Sequence, residues 1–138
     1  MAETTTKAIG YIHTAQTTNP HTRHKLDIQA QRIREYCHIN KIVLVGTFAD
    51  EGIGGSTTAR NGLLKALSVL REGQADLLIV NNMSRLTRSV AALASLTERH
   101  FADGSRALVS LDEHVDTRTE QGRFALHALC LIARWSRR

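Results

Sequence analysis

The sequence predicts an α/β protein with three α/β/α layers around a central, mainly parallel sheet of four to five strands. Two observations lead to this fold class. Short apolar runs alternate along the chain with longer segments whose apolar residues recur at helical spacing. Short polar turns join these segments, and strands that alternate with helices in this way form a parallel sheet with helices on both faces.

Four apolar runs are the predicted strands. The first lies within Lys7–Gln16, where the run breaks abruptly into a polar stretch, so its carboxyl end is expected to open into a site. The other three are Lys41–Phe48, Asp76–Val80 and Arg106–Leu111, and their apolar, often β-branched residues are typical of buried strands.

Four helices are expected between and after these strands, joined by polar loops. The predicted helices run over about Lys25–His38, Ala59–Arg71, Thr87–His100 and Glu120–Arg134. Residues at helical spacing define the first two, namely Leu26, Ile28, Ile33, Tyr36, Cys37, Leu63, Leu64, Leu67 and Leu70. The predicted loops are Thr17–His24, the glycine-rich Asp50–Thr58, and Asp112–Thr119.

The last predicted helix is apolar on nearly every side. Phe124, Leu126, Leu129 and Ile132 lie on one face, while Leu131 and several alanines extend the apolar surface around it. A helix of this kind must be covered on all sides, and near a chain terminus the cover is often a partner subunit. The sequence therefore predicts self-association through this helix.

The amino-acid composition limits the classes of function that the chain can have. The 138 residues suit one domain spanning 1–138, and Lys and Arg outnumber Asp and Glu by 18 to 13, giving a net charge of +5. This excess favours a polyanionic partner, although a solvated basic surface fits equally well. Cys37 and Cys130 are expected to be inert buried thiols in a reducing compartment. No apolar run approaches the ~20 residues of a membrane span, so we expect a soluble, cytoplasmic protein without a membrane partner.

Arginine placement is the most specific local signal for chemistry. Arg85 and Arg88 are three residues apart after the third strand, and Arg60 stands where the glycine-rich loop enters a helix. Such guanidiniums can converge on one phosphate, but three solvated surface arginines would give the same spacing. His21 and His24 lack a third ligand, so neither a metal nor a cofactor is expected.

Eight segments of the chain, which begin with AIGYIHTA and LDIQAQRIREYC and end with QGRFALHAL, follow one another at characteristic spacing. In this order and spacing they resemble the catalytic domain of the serine recombinases, the resolvase/invertase family. AIGYIHTA is similar to that family's opening strand, and LDIQAQRIREYC to its first helix. FADEGIGGS, ARNGLLKAL, ADLLIV, SRLTRS, ALVSLDEHVDT and QGRFALHAL follow in the family's order. The resemblance implies a resolvase-like domain in which a serine hydroxyl attacks a DNA phosphodiester within a tetramer, while arginines rather than a metal stabilise the charge.

The same resemblance marks where this chain departs from the family. The nucleophilic serine falls on Ala15, the arginine two residues before it on His13, and the acid of the arginine motif on Ser84. Gly54 and Ser136 are further departures. The family's phosphate-binding positions are kept as Tyr11, Gln29, Arg60, Arg85 and Arg88.

Alanine has no oxygen with which to attack phosphorus, so the resemblance implies a catalytically inactive domain that acts in DNA binding, regulation or assembly. A homo-oligomer, dimer or tetramer, is expected through the last helix, and no helix-turn-helix domain is expected before the chain ends at Arg138. Two alternatives stay open: an active recombinase with a displaced nucleophile at Thr14 or Thr17, and a module that binds only protein.

Overall fold

A mixed, mostly parallel sheet forms the centre of the molecule. The computed structural model describes residues 5–14, 20–51, 61–86, 95–96, 99–101 and 105–136. Within them, five strands are arranged in the order β2-β1-β3-β4-β5, and only β4 and β5 pair in antiparallel fashion. The strands are β1 Lys7–Thr14, β2 Val43–Glu51, β3 Leu77–Val80, β4 Ala107–Ser110 and β5 Val115–Asp116.

Helices cover both faces of this sheet, which confirms the predicted three layers. The described helices are α1 Pro20–Ile39, α2 Asn61–Arg71, α3 Met83–Leu86 and α4 Glu120–Ser136. Between α1 and the sheet lie Ala8, Ile12, Leu26, Ile33, Cys37, Leu77, Ile79 and Val109. The opposite face packs against α2 and α4 through Ile9, Tyr11, Leu63, Leu67, Leu70, Leu78, Val80, Leu108 and Leu126.

The first helix begins earlier than the sequence predicts. Residues 20–24 are the first residues of α1, whereas Thr17–His24 was expected to be a loop on account of Pro20. Proline is favoured in the first turn of a helix, because its fixed φ is already helical and its missing N–H would have no partner within the helix there. Pro20 therefore starts the helix.

Two further boundaries differ from the prediction because pairing extends into polar residues. β2 continues to Glu51, past the expected end at Phe48, because Asp50 and Glu51 pair with the last two residues of β1. β5 lies inside the segment Asp112–Thr119, which was expected to be a loop, and pairs with β4. The hydroxyl of Thr117 also accepts a hydrogen bond from the backbone N–H of Leu108, at 2.9 Å.

The short helix α3 is not predicted by the sequence. Its first backbone N–H, that of Met83, donates to the Glu113 carboxylate at 3.2 Å, and the Ser110 hydroxyl donates to the same carboxylate. An acidic side chain at this position satisfies an N–H that has no partner within the helix. The helix predicted over Thr87–His100 lies mostly outside the described residues, although 95–96 and 99–100 are helical.

Some apolar residues predicted from helical spacing are not in the core. Ile28, Leu64 and Phe124 are 48%, 56% and 74% exposed. At about 3.6 residues per turn, each points away from the side of its helix that holds a buried residue, namely Leu26, Leu70 and Leu126. Cys37 is buried, and burial raises the pKa of its thiol, in keeping with an inert role. The side chain of Cys130 lies outside the described residues.

The last helix begins where the sequence predicts. The hydroxyl of Thr119 accepts a hydrogen bond from the Gly122 N–H at 2.9 Å, which is the usual arrangement of an N-cap. A side chain at Gly122 would overlap the Asp116 carbonyl, so only glycine lets β5 lead this closely into α4. None of the helices in the described ranges has the length and apolarity needed to cross a membrane.

Candidate functional site

Three strand ends meet at one edge of the sheet. β1 is parallel to both β2 and β3, so their carboxyl ends lie on the same side. β1 ends at Thr14 beside Glu51 of β2, and β3 ends at Val80 beside Tyr11. The loops that follow such strand ends are the usual place for a site in an open α/β sheet.

The backbone of His13 is the point where several side chains converge. The Gln29 side chain, from α1, accepts a hydrogen bond from the His13 N–H at 3.1 Å and donates to the His13 carbonyl at 3.0 Å. The Arg85 guanidinium, from α3, donates to the same carbonyl through Nη1 at 3.0 Å. One residue of β1 therefore holds a side chain from each of two helices at fixed positions.

The opposite face of the strand end is organised by Asp50 of β2. Its carboxylate accepts a hydrogen bond from the Tyr11 hydroxyl at 2.7 Å and from the backbone N–H groups of Gly62 and Leu63 at 2.8 and 3.0 Å. These are N–H groups of the first turn of α2, which have no partner within the helix. The rings of Tyr11 and His13 stack with their centroids 6.4 Å apart.

Gly62 makes this contact between β2 and α2 close. A Cβ atom at residue 62 would lie 2.5 Å from the carbonyl oxygen of Ala49, which is backbone and cannot yield easily. Because glycine has no side chain, the helix end can approach the strand closely enough for both of its N–H groups to reach Asp50. Asp50 thus joins Tyr11 to the start of α2.

A second network links α1 to the ends of β3 and β4. Asn81 is buried, donates to the Gln29 carbonyl at 2.9 Å, and accepts from Nη1 of Arg32 at 2.8 Å. The same nitrogen of Arg32 lies 2.8 Å from the Asp112 carboxylate. The amide of Asn82 that donates to Asp112 lowers the pKa of that carboxyl, and Arg32 lowers it further, so Asp112 is ionised at neutral pH.

The structure brings together four of the residues singled out from the sequence: Tyr11, His13, Gln29 and Arg85. Ser84 lies in α3, and its side chain is outside the described part of the chain. Ala15, Arg60 and Arg88 lie outside the described residues, as do Thr17 and Gly54. Convergence of the three arginines on one phosphate therefore stays a prediction.

Sequence reasoning missed the residues that hold the site together. Asp50 and Asn81 are both buried at strand ends, and neither was singled out, although polar residues directly after a buried strand are a usable signal. Arg32 and Asp112 were also missed. Their pairing joins residues far apart in the chain, so no local spacing announces it.

The arrangement is suited to binding an anion. Its exposed and half-buried donors are guanidinium and amide groups, which match phosphate oxygens in geometry and charge.

Within the described ranges, no group of three or more His, Cys, Asp or Glu side chains could hold a metal ion. Thr14, the last residue of β1, is only 4% exposed.

Comparison with known proteins gives consistent matches. Residues 8–138 match the family model described as the resolvase N-terminal domain. The chain is 35% identical to the DNA-invertase of Enterobacteria phage P7 over 88 residues, which is 64% of this chain and 46% of that protein. It is 31% identical to the transposon Tn917 resolvase of Enterococcus faecalis over 87 residues, or 63% and 46% of the two chains. The matches thus span less than half the length of these relatives.

Solved structures share the fold. The N-terminal catalytic domain of TP901-1 integrase superposes with a TM-score of 0.86 at 25% identity, over 95% of this chain and 96% of that one. A resolvase-family site-specific recombinase from Streptococcus pneumoniae gives a TM-score of 0.76 at 20% identity, over 96% and 88% of the chains, and supports the fold alone.

We expect Gln29→Ala to destabilise the protein, because it removes two buried hydrogen bonds to His13 and leaves a gap beneath α1. The free energy of unfolding should fall by about 1–3 kcal/mol in urea titration. Gln31→Ala is the matched control, since Gln31 is exposed on the same helix and bonds only to exposed side chains there. A loss for Gln29→Ala no larger than that for Gln31→Ala would contradict the structural role of Gln29.

Proposed function

The chain belongs to the resolvase family of serine recombinases, and from this premise we propose that it binds DNA through backbone phosphates without cutting it. Its role is then regulatory or architectural, in an assembly with further copies of itself. The proposal rests on two properties. Tyr11, Gln29 and Arg85, which we call the phosphate-binding frame, are kept at the family's phosphate-binding positions, whereas Ala15 stands at the position of the nucleophilic serine.

The convergence of Gln29 and Arg85 on His13 is the observation that carries the binding half of the proposal. Arg85 is half-buried and its guanidinium is anchored at one nitrogen by the His13 carbonyl. Anchoring reduces the entropy lost when a guanidinium orders around a phosphate. The similarity to proteins named DNA-invertase and resolvase supports DNA as the source of that phosphate.

The absence of catalysis rests on residue identity. Ala15, at the position of the family's nucleophile, carries a methyl group, so no oxygen is available there to attack phosphorus and release the 3′ oxygen of the cut strand. His13 and Ser84 replace the arginine and the acid that accompany the nucleophile in the family. The binding groups that are kept cannot supply the missing bond.

The proposed assembly rests on α4. Phe124 and Leu131 on this helix are 74% and 50% exposed, whereas Leu126 is buried against the sheet. The helix therefore buries one side within its own chain and presents large apolar side chains elsewhere. Covering these by a second copy would remove apolar surface from water, which is the dominant favourable term in association.

Two other functions remain as alternatives. A displaced nucleophile at Thr14 or Thr17 would make the chain an active recombinase, but Thr14 is buried in β1, which disfavours attack from that residue. A module that binds only protein would need none of the phosphate-binding side chains, and their retention disfavours it.

DNA binding is tested by the salt dependence of duplex affinity, measured by fluorescence anisotropy. An electrostatic binder weakens steeply as salt rises, because neutralised phosphates release counterions. Arg85→Gln should weaken binding and flatten the salt dependence, whereas Arg34→Gln, which removes an exposed charge from α1, should change little. Circular dichroism of each variant checks its fold. If the wild-type protein binds no duplex at low salt, DNA binding is contradicted and a module that binds only protein is favoured.

Loss of cleavage is tested with nicked suicide substrates that trap covalent intermediates of strand cleavage. A candidate recombination site is incubated with this protein and, alongside it, with a recombinase that has its serine. We expect a covalent protein–DNA adduct with the second protein alone. An adduct on this chain, mapped by peptide mass to Thr14 or Thr17, would establish the displaced nucleophile instead.

Self-association is tested by sedimentation. The double variant Phe124→Ser with Leu131→Ser should shift the mass in solution toward that of one chain, because two exposed apolar side chains of α4 are removed. Leu64→Ser is the control, since Leu64 is 56% exposed on α2. An unchanged mass for the α4 variant, or an equal shift for both, would contradict assembly through α4.

A further inference from the structure

A cleft opens beside the site described above, between α1 and the residues that follow β3 and β4. Its volume is about 230 Å³. The residues that line it are Lys25, Ile28, Gln29, Arg32, Asn81, Asn82, Arg85 and Asp112. Gln29 and Arg85 also contact the His13 backbone, so the cleft is continuous with the proposed phosphate-binding site.

The α1 wall of the cleft is a single stripe of the helix. Lys25, Ile28 and Arg32 are spaced by three and four residues, which places them on one face. Lys25 and Arg32 are seven residues apart, or about 10 Å along the helix axis at ~1.5 Å per residue. Along the duplex axis, one DNA strand advances ~3.4 Å per phosphate, so a duplex whose axis lies parallel to α1 would pass about three nucleotides along this stripe.

Charge in the cleft favours an anion. Lys25, Arg32 and Arg85 supply three cations against the one carboxylate of Asp112. Arg32 is fixed before any ligand arrives, because its Nη1 is held by both Asn81 and Asp112 while its side chain remains 41% exposed. A cation that is held in place and still reaches water costs little further entropy when it binds.

Ile28, the apolar residue of the stripe, indicates which type of anion suits the cleft. Ile28 lies between the two cations along the stripe and is 48% exposed. A DNA strand joins its charged phosphates by less polar sugars, so an exposed aliphatic side chain between two cations suits such a strand better than a compact inorganic anion.

We propose that a DNA strand runs along the Lys25–Ile28–Arg32 stripe, so that the cleft binds backbone phosphates beyond the one at Arg85. This inference rests on the proposed DNA binding and adds the path of the strand. Lys25 and Arg32 are phosphate contacts in it, and Asp112 limits the affinity by pairing with Arg32.

Lys25→Gln and Arg34→Gln test the path, because each removes one exposed positive charge from α1 but only Lys25 lines the cleft. Affinity for a short labelled duplex is measured by anisotropy between about 50 and 200 mM salt. Loss of one phosphate contact should lower the slope of log K against log salt by about 0.9, and the affinity at low salt about tenfold, for Lys25→Gln alone.

Each outcome bears on a different claim. Equal slopes for Lys25→Gln and Arg34→Gln overturn the path, while wild-type binding leaves the proposed DNA-binding function intact. Absence of wild-type binding removes that function and the path with it. Inorganic phosphate that binds through Lys25, together with a duplex affinity that does not depend on Lys25, indicates a small-anion site and contradicts a bound strand.

Asp112→Asn provides a test by gain of affinity. Removing the carboxylate raises the positive charge of the cleft, while Asn81 still holds Nη1 of Arg32, so duplex affinity and the salt slope should both increase. Asp27→Asn is the matched control, because Asp27 is an exposed carboxylate of α1 that does not line the cleft. Equal gains for both variants would show a general charge effect and overturn the path.

Discussion

The two hydrogen-bonding groups of the His13 backbone are what the candidate site depends on. Gln29 binds both the N–H and the carbonyl, and Arg85 binds the carbonyl as well. Buried backbone groups need partners, so these bonds stabilise the fold and position the side chains at the same time. Any change that moves the end of β1 would displace one residue from α1 and one from α3 together.

Under the proposed function, this arrangement allows DNA binding and strand cleavage to be separated in one fold. The bonds from Gln29 and Arg85 to His13, and those that tie Tyr11 to Asp50 and the start of α2, do not involve residue 15. The contacts that hold the phosphate-binding frame therefore also stabilise the fold, whereas the hydroxyl of a nucleophile is needed only for the reaction. The chain keeps the resolvase fold, and these contacts, with alanine at position 15.

The sequence predicted the fold well where apolar residues recur with a clear period. It predicted poorly the ends of elements that depend on contacts with a neighbouring strand or on the role of one proline. α2 and α4 have clear apolar spacing, and the structure gives them close to the expected bounds. β2 extends through Asp50 and Glu51 only because β1 lies beside them, and the start of α1 depends on whether Pro20 opens or breaks a helix. Neither outcome can be obtained from a local pattern.

The site residues, too, divide into those that a local sequence pattern reveals and those that depend on contacts between distant parts of the chain. Tyr11 and Gln29 were singled out through motifs of a known family, whereas Arg85 was singled out first by its spacing from Arg88 and then by the family motif. Asp50 lies inside the motif FADEGIGGS and Asn81 lies in no motif, and neither was singled out, because their roles come from partners 12 to 52 positions away in the chain. Long-range contacts of this kind are set by the packing of α1 and α2 on the sheet, which a single sequence does not display.

Chemical-shift mapping of the isotope-labelled protein with a short DNA duplex tests the central claim most directly. We expect the resonances of the His13 backbone amide and the Arg85 guanidinium to shift first, and in proportion to each other, as duplex is added. Shifts confined to the exposed surface of α4 or to the β2 edge of the sheet, with His13 and Arg85 unchanged, would contradict a retained phosphate-binding frame.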